Sequence, residues 1–166
     1  GGLYISFSGG VPSRVPEASL HYAGVAEDVA VETSRVMRLG LNEALNGSFF
    51  PLGKNEPRGP VDFFVWGDSH ASVLLPVIDQ VADARSLQGQ ASVRSATAPL
   101  LGYEVTAETS LKSLSIPFND AVLSYIVQNR IQNVVLIACW SGYVQRDGGI
   151  ERVKHCLGDT VQALTS

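Results

Sequence analysis

Hydrophobic positions along the chain fall into runs of two kinds. Residues 61–66, VDFFVW, form a short stretch of aromatic and β-branched residues, the composition of a buried strand. QASVRSA at 90–96 and NVVLIACW at 133–140 read as two further strands. Elsewhere the apolar residues repeat at helical spacing. ASVLLPVIDQVADARS, 71–86, places Leu74, Val77, Ile78 and Val81 along one side of a helix. Within it Pro76 marks either a kink or the true start of the main helix after one loose turn. FNDAVLSYIVQNR, 118–130, sets Val122, Tyr125 and Ile126 on a common side, and GIERVKHCLGDTVQAL, 149–164, reads as a closing helix. Strands alternating with helices predict an α/β domain on a parallel sheet, with each helix laid on a face of that sheet.

The first sixty residues show another pattern. Residues 1–20 and 46–60 are rich in Gly, Pro and Ser. Between them AEDVAVETSRVMRLGLNEAL, 26–45, reads as a helix, with apolar Val29, Val36 and Leu39 and acids towards its start. The expected division is therefore a lead-in over 1–60 and an α/β domain over 61–166, the lead-in being extended segments around one helix, wrapped on that domain. Only about three strands are legible in the domain, and its last element is a helix. So small a sheet for this class leads to the expectation that the chain is the front part of a longer domain.

Composition narrows the function classes. A length of 166 residues suits one domain with a real core. A net charge of −4 argues against a nucleic-acid partner, which would call for a basic stripe. No apolar run reaches the roughly 18 residues that span a bilayer, and the opening GGLYISFSGG has no basic n-region of a signal peptide. Cys139 and Cys156 show no CxxC spacing, so they imply neither a metal site nor a disulfide framework. A GxSxG elbow, a P-loop and GxGxxG are all missing from the sequence, and no cofactor is expected; a flavodoxin-like cofactor binder is correspondingly remote.

The chemistry concentrates at Gly67-Asp68-Ser69-His70, where the first strand gives way to a helix. Active groups of open α/β sheets sit just beyond the carboxyl ends of the strands. Gly67 permits a tight turn with close backbone approach. Asp68 and Ser69 are residue types that cap a helix start. A serine there lies against free N–H groups and the positive end of the helix dipole, which favour developing negative charge. Its own N–H can serve as one oxyanion donor. The cap and a nucleophile can thus be one turn. A serine needs a base, and His70 is poorly placed for Ser69 because adjacent side chains on a helix diverge. Asn119 falls near a helix start, where capping explains it. His155 reads as a solvated or paired helix residue, and His21 as a structural residue of the lead-in.

FFVWGDSHASVLLPVID resembles block I of the SGNH hydrolases, and more narrowly the SGNH domain fused to the C-terminus of bacterial membrane O-acyltransferases of the acyltransferase 3 type. GGVPSRVPE is similar to the linker that leads out of the membrane domain, RSATAPLLGY to the segment after the second strand, and FNDAVLSYIVQNRIQNVVLIACWSGY to the family's helix–strand unit. The resemblance implies a flavodoxin-like three-layer sandwich with Ser69 as the nucleophile, and with Gly67, Asp68 and His70 shaping its turn. It also implies an oxyanion hole completed by a glycine after the second strand, for which Gly102 is the candidate, and by an asparagine after the third. The third strand instead ends ACWSGY, so Trp140, Ser141 and Tyr143 are expected to line the site. The family's closing Asp-x-x-His, which supplies orienter and base, has no counterpart in these residues.

The implied function is transfer of an acyl group, acetyl in the first instance, through a Ser69 ester to a cell-surface glycan. The implied partners are a membrane acyltransferase domain that delivers the acyl group and a glycan acceptor, and the implied location is periplasmic or otherwise extracytoplasmic. The same site could serve a carbohydrate esterase or deacetylase, since water and a sugar hydroxyl compete for one acyl-enzyme. A third reading is a truncated domain that binds glycan without turnover.

Overall fold

The structure, a computed structural model, describes residues 39–53, 59–105, 111–146 and 149–166. The elements in chain order are α1 (Leu41–Leu45), β1 (Phe50–Gly53), β2 (Phe63–Gly67), α2 (Ser69–Ala84), β3 (Gln88–Val93), a short 3-10 turn (Lys112–Leu114), α3 (Ser115–Gln128), β4 (Val134–Ile137), α4 (Trp140–Val144) and α5 (Gly149–Thr165). The chain is α/β, as its alternating pattern predicts. The helix expected over 26–45 reaches the described residues only at α1; its earlier turns and His21 lie outside them.

The strands form a four-stranded sheet in the order β1-β3-β2-β4. β2 lies at the centre, parallel to β3 (Val65 opposite Ala91) and parallel to β4 (Val65 opposite Val135). The additional strand is β1, which pairs antiparallel with β3, Leu52 opposite Gly89. It comes from the Gly- and Pro-rich stretch 46–60. FPLG has neither the length nor the alternation of a strand, and β3 supplies the edge that makes it one.

Alternation along β2 sorts its side chains onto the two faces. Val65 faces α2 and packs with Leu52, Ala71, Leu75, Ala91 and Val93, flanked by Phe63, Ile78 and Ile137. Phe64 and Trp66 face the other way, into a layer of Phe49, Phe118, Ala121, Val122, Ile126 and Ile131 supplied largely by α3. Ring contacts between Phe49 and Phe64 at 5.0 Å, and between Phe49 and Tyr125 at 4.7 Å, tie α3 to the sheet. A third cluster, Ala98, Leu100, Tyr103, Val105, Tyr143, Val153 and Cys156, lies among α4, α5 and the segment after β3.

The face of α2 that meets the sheet is not the expected one. Leu74, Val77 and Val81 are 46%, 59% and 47% exposed, while Ala71, Leu75 and Ala82 are buried and only Ile78 of the expected set joins the core. The cause is backbone proximity. A Cβ on Gly67 would lie 2.5 Å from the Ala71 methyl, and one on Gly53 would lie 2.9 Å from that of Ala82. Only a small residue fits against Gly67 and Gly53, so alanines take those two positions, Leu75 and Ile78 pack between them, and the larger valines are turned out. Nor does Pro76 mark the helix start; α2 begins at Ser69 and runs through it.

Candidate active site

β2 ends at Gly67, where a Cβ would collide with the carbonyl oxygen of Ile137 on β4. Glycine thus lets the two strand ends close up beside the turn. Gly67 O accepts from Arg94 N at 3.0 Å, and Asp68 N donates to Ile137 O at 3.2 Å, so the turn is pinned to both neighbouring strands. Asp68 then caps α2: its Oδ1 accepts from His70 N at 2.8 Å. Ser69 is the first residue of α2 and is half-buried. Ser72 Oγ donates to Ser69 O at 2.7 Å and closes the first turn.

Asp68 does more than cap. Its side chain is 2% exposed, and its Oδ2 accepts from Cys139 N and from Tyr143 Oη, each at 2.9 Å. A buried carboxylate requires such a set of donors. They come from the far strand end and from α4, so one carboxylate ties the Gly67-Asp68-Ser69 turn to ACWSGY. The Tyr143 phenol is pushed well above its ordinary pKa by burial first, then by the charge of Asp68 and the hydrogen bond to it. Tyr143 is therefore a neutral donor at any working pH.

Ser69 opens onto a cavity of about 270 Å³ lined by Asp68, His70, Ser95, Ala96, Val105, Cys139, Gly142, Tyr143 and Arg146. Of the expected site residues, Asp68, Ser69, His70 and Tyr143 meet here, with Gly67 directly behind them. Gly102, Trp140 and Ser141 are not among its lining residues. Gly102 occupies an exposed turn with φ of 65°. Trp140 packs against the Tyr103–Tyr143 cluster, and Ser141 is exposed. The wall after β3 is formed by Ser95, Ala96 and Val105, and Ala96 holds φ of 50°, a left-handed conformation uncommon for a residue with a side chain. Nothing in the residue type announces that conformation.

Neither described histidine makes a hydrogen bond with the Ser69 side chain. The exposed ring of His70 turns to Asp68, with Nδ1 3.3 Å from Oδ1. His155 pairs with Asp159 on the surface of α5 at 3.4 Å. Among the described residues, no hydrogen bond joins a histidine to the Ser69 hydroxyl, and no group of His, Cys, Asp and Glu could hold a metal ion. Both cysteines are free thiols; Cys139 lines the cavity, and the buried Cys156 thiol is pushed up, chiefly by burial.

Asn119 corrects the sequence reading most clearly. It is fully buried inside α3, past the first turn, and caps nothing. Its Oδ1 accepts from Trp66 Nε1 at 3.3 Å, and its Nδ2 donates to Ala98 O at 2.8 Å and to Leu100 O at 2.9 Å.

Residues 40–166 match the family described as SGNH domain (fused to AT3 domains). Among solved structures, the periplasmic domain of the lipopolysaccharide acetyltransferase of Salmonella ser. Paratyphi A shares the fold, with a TM-score of 0.56 and 18% sequence identity. The alignment covers 82% of this chain and 52% of that one, so the chain spans about half the length of the solved domain. No curated protein matches the chain.

Proposed function

The chain belongs to the family of SGNH domains fused to AT3 acyltransferase domains, and on that premise we propose that Ser69 accepts an acyl group and passes it to a hydroxyl of a surface glycan. The observation that carries this reading is the placement of Ser69: first residue of α2, directly beyond the carboxyl end of the central strand, open to the cavity. The helix N-terminus offers unpaired N–H groups to a developing oxyanion. In the first step, Ser69 Oγ forms an ester with the acyl carbon as the donor's acyl bond breaks, and the hydroxyl proton leaves with the donor's leaving group. In the second, a sugar hydroxyl attacks that ester, its oxygen keeps the acyl group, and its proton returns to Ser69 Oγ. Water in place of the sugar gives hydrolysis at the same site.

The acetyl group, the glycan acceptor and an extracytoplasmic location are the finer part of the proposal. Their support is the fusion to AT3 domains in the family and the periplasmic lipopolysaccharide acetyltransferase domain of the same fold. No described helix is long and apolar enough to cross a membrane. A second reading, glycan binding without turnover, draws on the pairing of both described histidines with aspartates and not with Ser69. A fluorophosphonate probe separates the two. Turnover predicts covalent labelling of the wild type and none of Ser69→Ala; equal labelling of both, or of neither, contradicts an activated serine.

A further inference from the structure

Residues 94–103, which follow β3 and supply three members of the third core cluster, have no helix and form no ladder beyond a single bridge at Arg94, yet Thr97, Ala98, Leu100 and Tyr103 are essentially inaccessible to solvent. Irregular backbone is seldom buried, because its N–H and C=O groups lose water without gaining a ladder. Here side chains replace the ladder. Asn119 Nδ2 satisfies the carbonyls of Ala98 and Leu100, Thr160 Oγ1 accepts from Leu101 N at 2.9 Å, and Tyr103 Oη donates to Tyr143 O at 3.3 Å.

Asn119 alone among these groups also reaches the nucleophile strand. Trp66, which donates to its Oδ1, immediately precedes the Gly67-Asp68-Ser69 turn. At the opposite end Tyr143, whose carbonyl accepts from Tyr103, donates its hydroxyl to Asp68. The bonds close a circuit that leaves the turn through Trp66, crosses Asn119 to the 98–103 segment and returns through Tyr103 and Tyr143. Ser95 and Ala96 stand at the head of that segment and form the cavity wall facing Ser69.

We infer that Asn119 is a positioning residue for the acyl-transfer site, fixing the 95–103 wall relative to the strand that presents Ser69. The inference rests on the reading of Ser69 as nucleophile for its catalytic meaning, and on the amide's three bonds for its structural meaning. Asparagine is specific to the position. Aspartate of the same shape keeps the acceptor for Trp66 but turns a second oxygen on two carbonyls, which it can bond only when protonated.

The test uses the whole chain and the variants Asn119→Asp and Trp66→Phe, read by amide hydrogen exchange and by the kinetics of fluorophosphonate labelling. For Asn119→Asp, exchange at residues 98–103 is expected to rise by about tenfold or more above the change elsewhere. The maximal labelling rate is expected to fall by about tenfold, with the probe's half-saturating concentration unchanged, because a displaced wall misplaces the reacting atoms. Acidification is expected to recover part of that rate in Asn119→Asp and none in Trp66→Phe. Where Asn119→Asp fails to fold, Trp66→Phe, which deletes one donor, decides: the inference predicts slower labelling at unchanged half-saturation. Unchanged exchange at 98–103 with unchanged labelling overturns the inference, as does a loss of labelling that only tracks the unfolded fraction. A wild type that reacts with no probe overturns the reading of Ser69 instead, and the exchange pattern at 98–103 still decides whether Asn119 holds the wall.

Discussion

At Asp68 a single side chain answers donors from three places: the first turn of α2, the backbone of Cys139 and the phenol of Tyr143. A hydrogen bond to a charged group is worth about 1.5–3 kcal/mol, and removing a donor leaves the buried acceptor short. Tyr143→Phe should therefore lower unfolding free energy by about 2 kcal/mol, measured by urea denaturation at neutral pH. The same bond sets an alkaline dependence. The folded-state phenol is raised above its unfolded value, so its stabilisation is whole below the ordinary tyrosine range of about 10 and declines as pH climbs from there towards the folded pKa. Wild type should lose stability above about pH 10 more steeply than Tyr143→Phe, and equal slopes would contradict the assignment. At this scale, the sequence shows the Gly-Asp-Ser turn because residue type and strand-end position coincide there. It hides Asn119, since a buried amide joining segments distant in the chain looks the same as a cap until those segments meet. The left-handed backbone of Ala96 in the cavity wall is not legible either, because residue type marks such a conformation only where glycine stands.

Strand and helix periodicity place β2, β3, β4, α2, α3 and α5 close to where they lie, since each carries several apolar residues in register with its own period. β1 is invisible because its pairing depends on β3 alone, and the α2 face is misassigned because residue size outweighs residue proximity in any reading of hydrophobic spacing. The packing of α2 makes opposite predictions for its two sides. Gly67→Ala places a methyl against Ile137 O and Ala71, which should cost about 3 kcal/mol and loosen the turn that holds Ser69. Val77→Gln, on the outer side at 59% exposure, should leave stability within about 0.5 kcal/mol of wild type. Urea denaturation of both variants checks the pair. A cost for Val77→Gln near that of Gly67→Ala would mean that the outer valines are packed after all.

At the largest scale, the described residues build a sheet whose two faces follow different rules: on one side a helix set close by Ala71 and Ala82, and on the other interleaved aromatic and branched side chains. At its carboxyl edge the two meet Tyr103, Tyr143 and α5, and the cavity opens there. The proposed function puts the chemistry at that edge, with Asp68, Tyr143 and Asn119 holding Ser69 and its facing wall. The most direct measurement is peptide mapping by mass spectrometry after brief exposure to p-nitrophenyl acetate and an acid quench. The account predicts one acetyl group per chain on the peptide containing Ser69, and none on that peptide in Ser69→Ala. An unmodified Ser69 peptide, or acetyl found equally in both proteins, would contradict it.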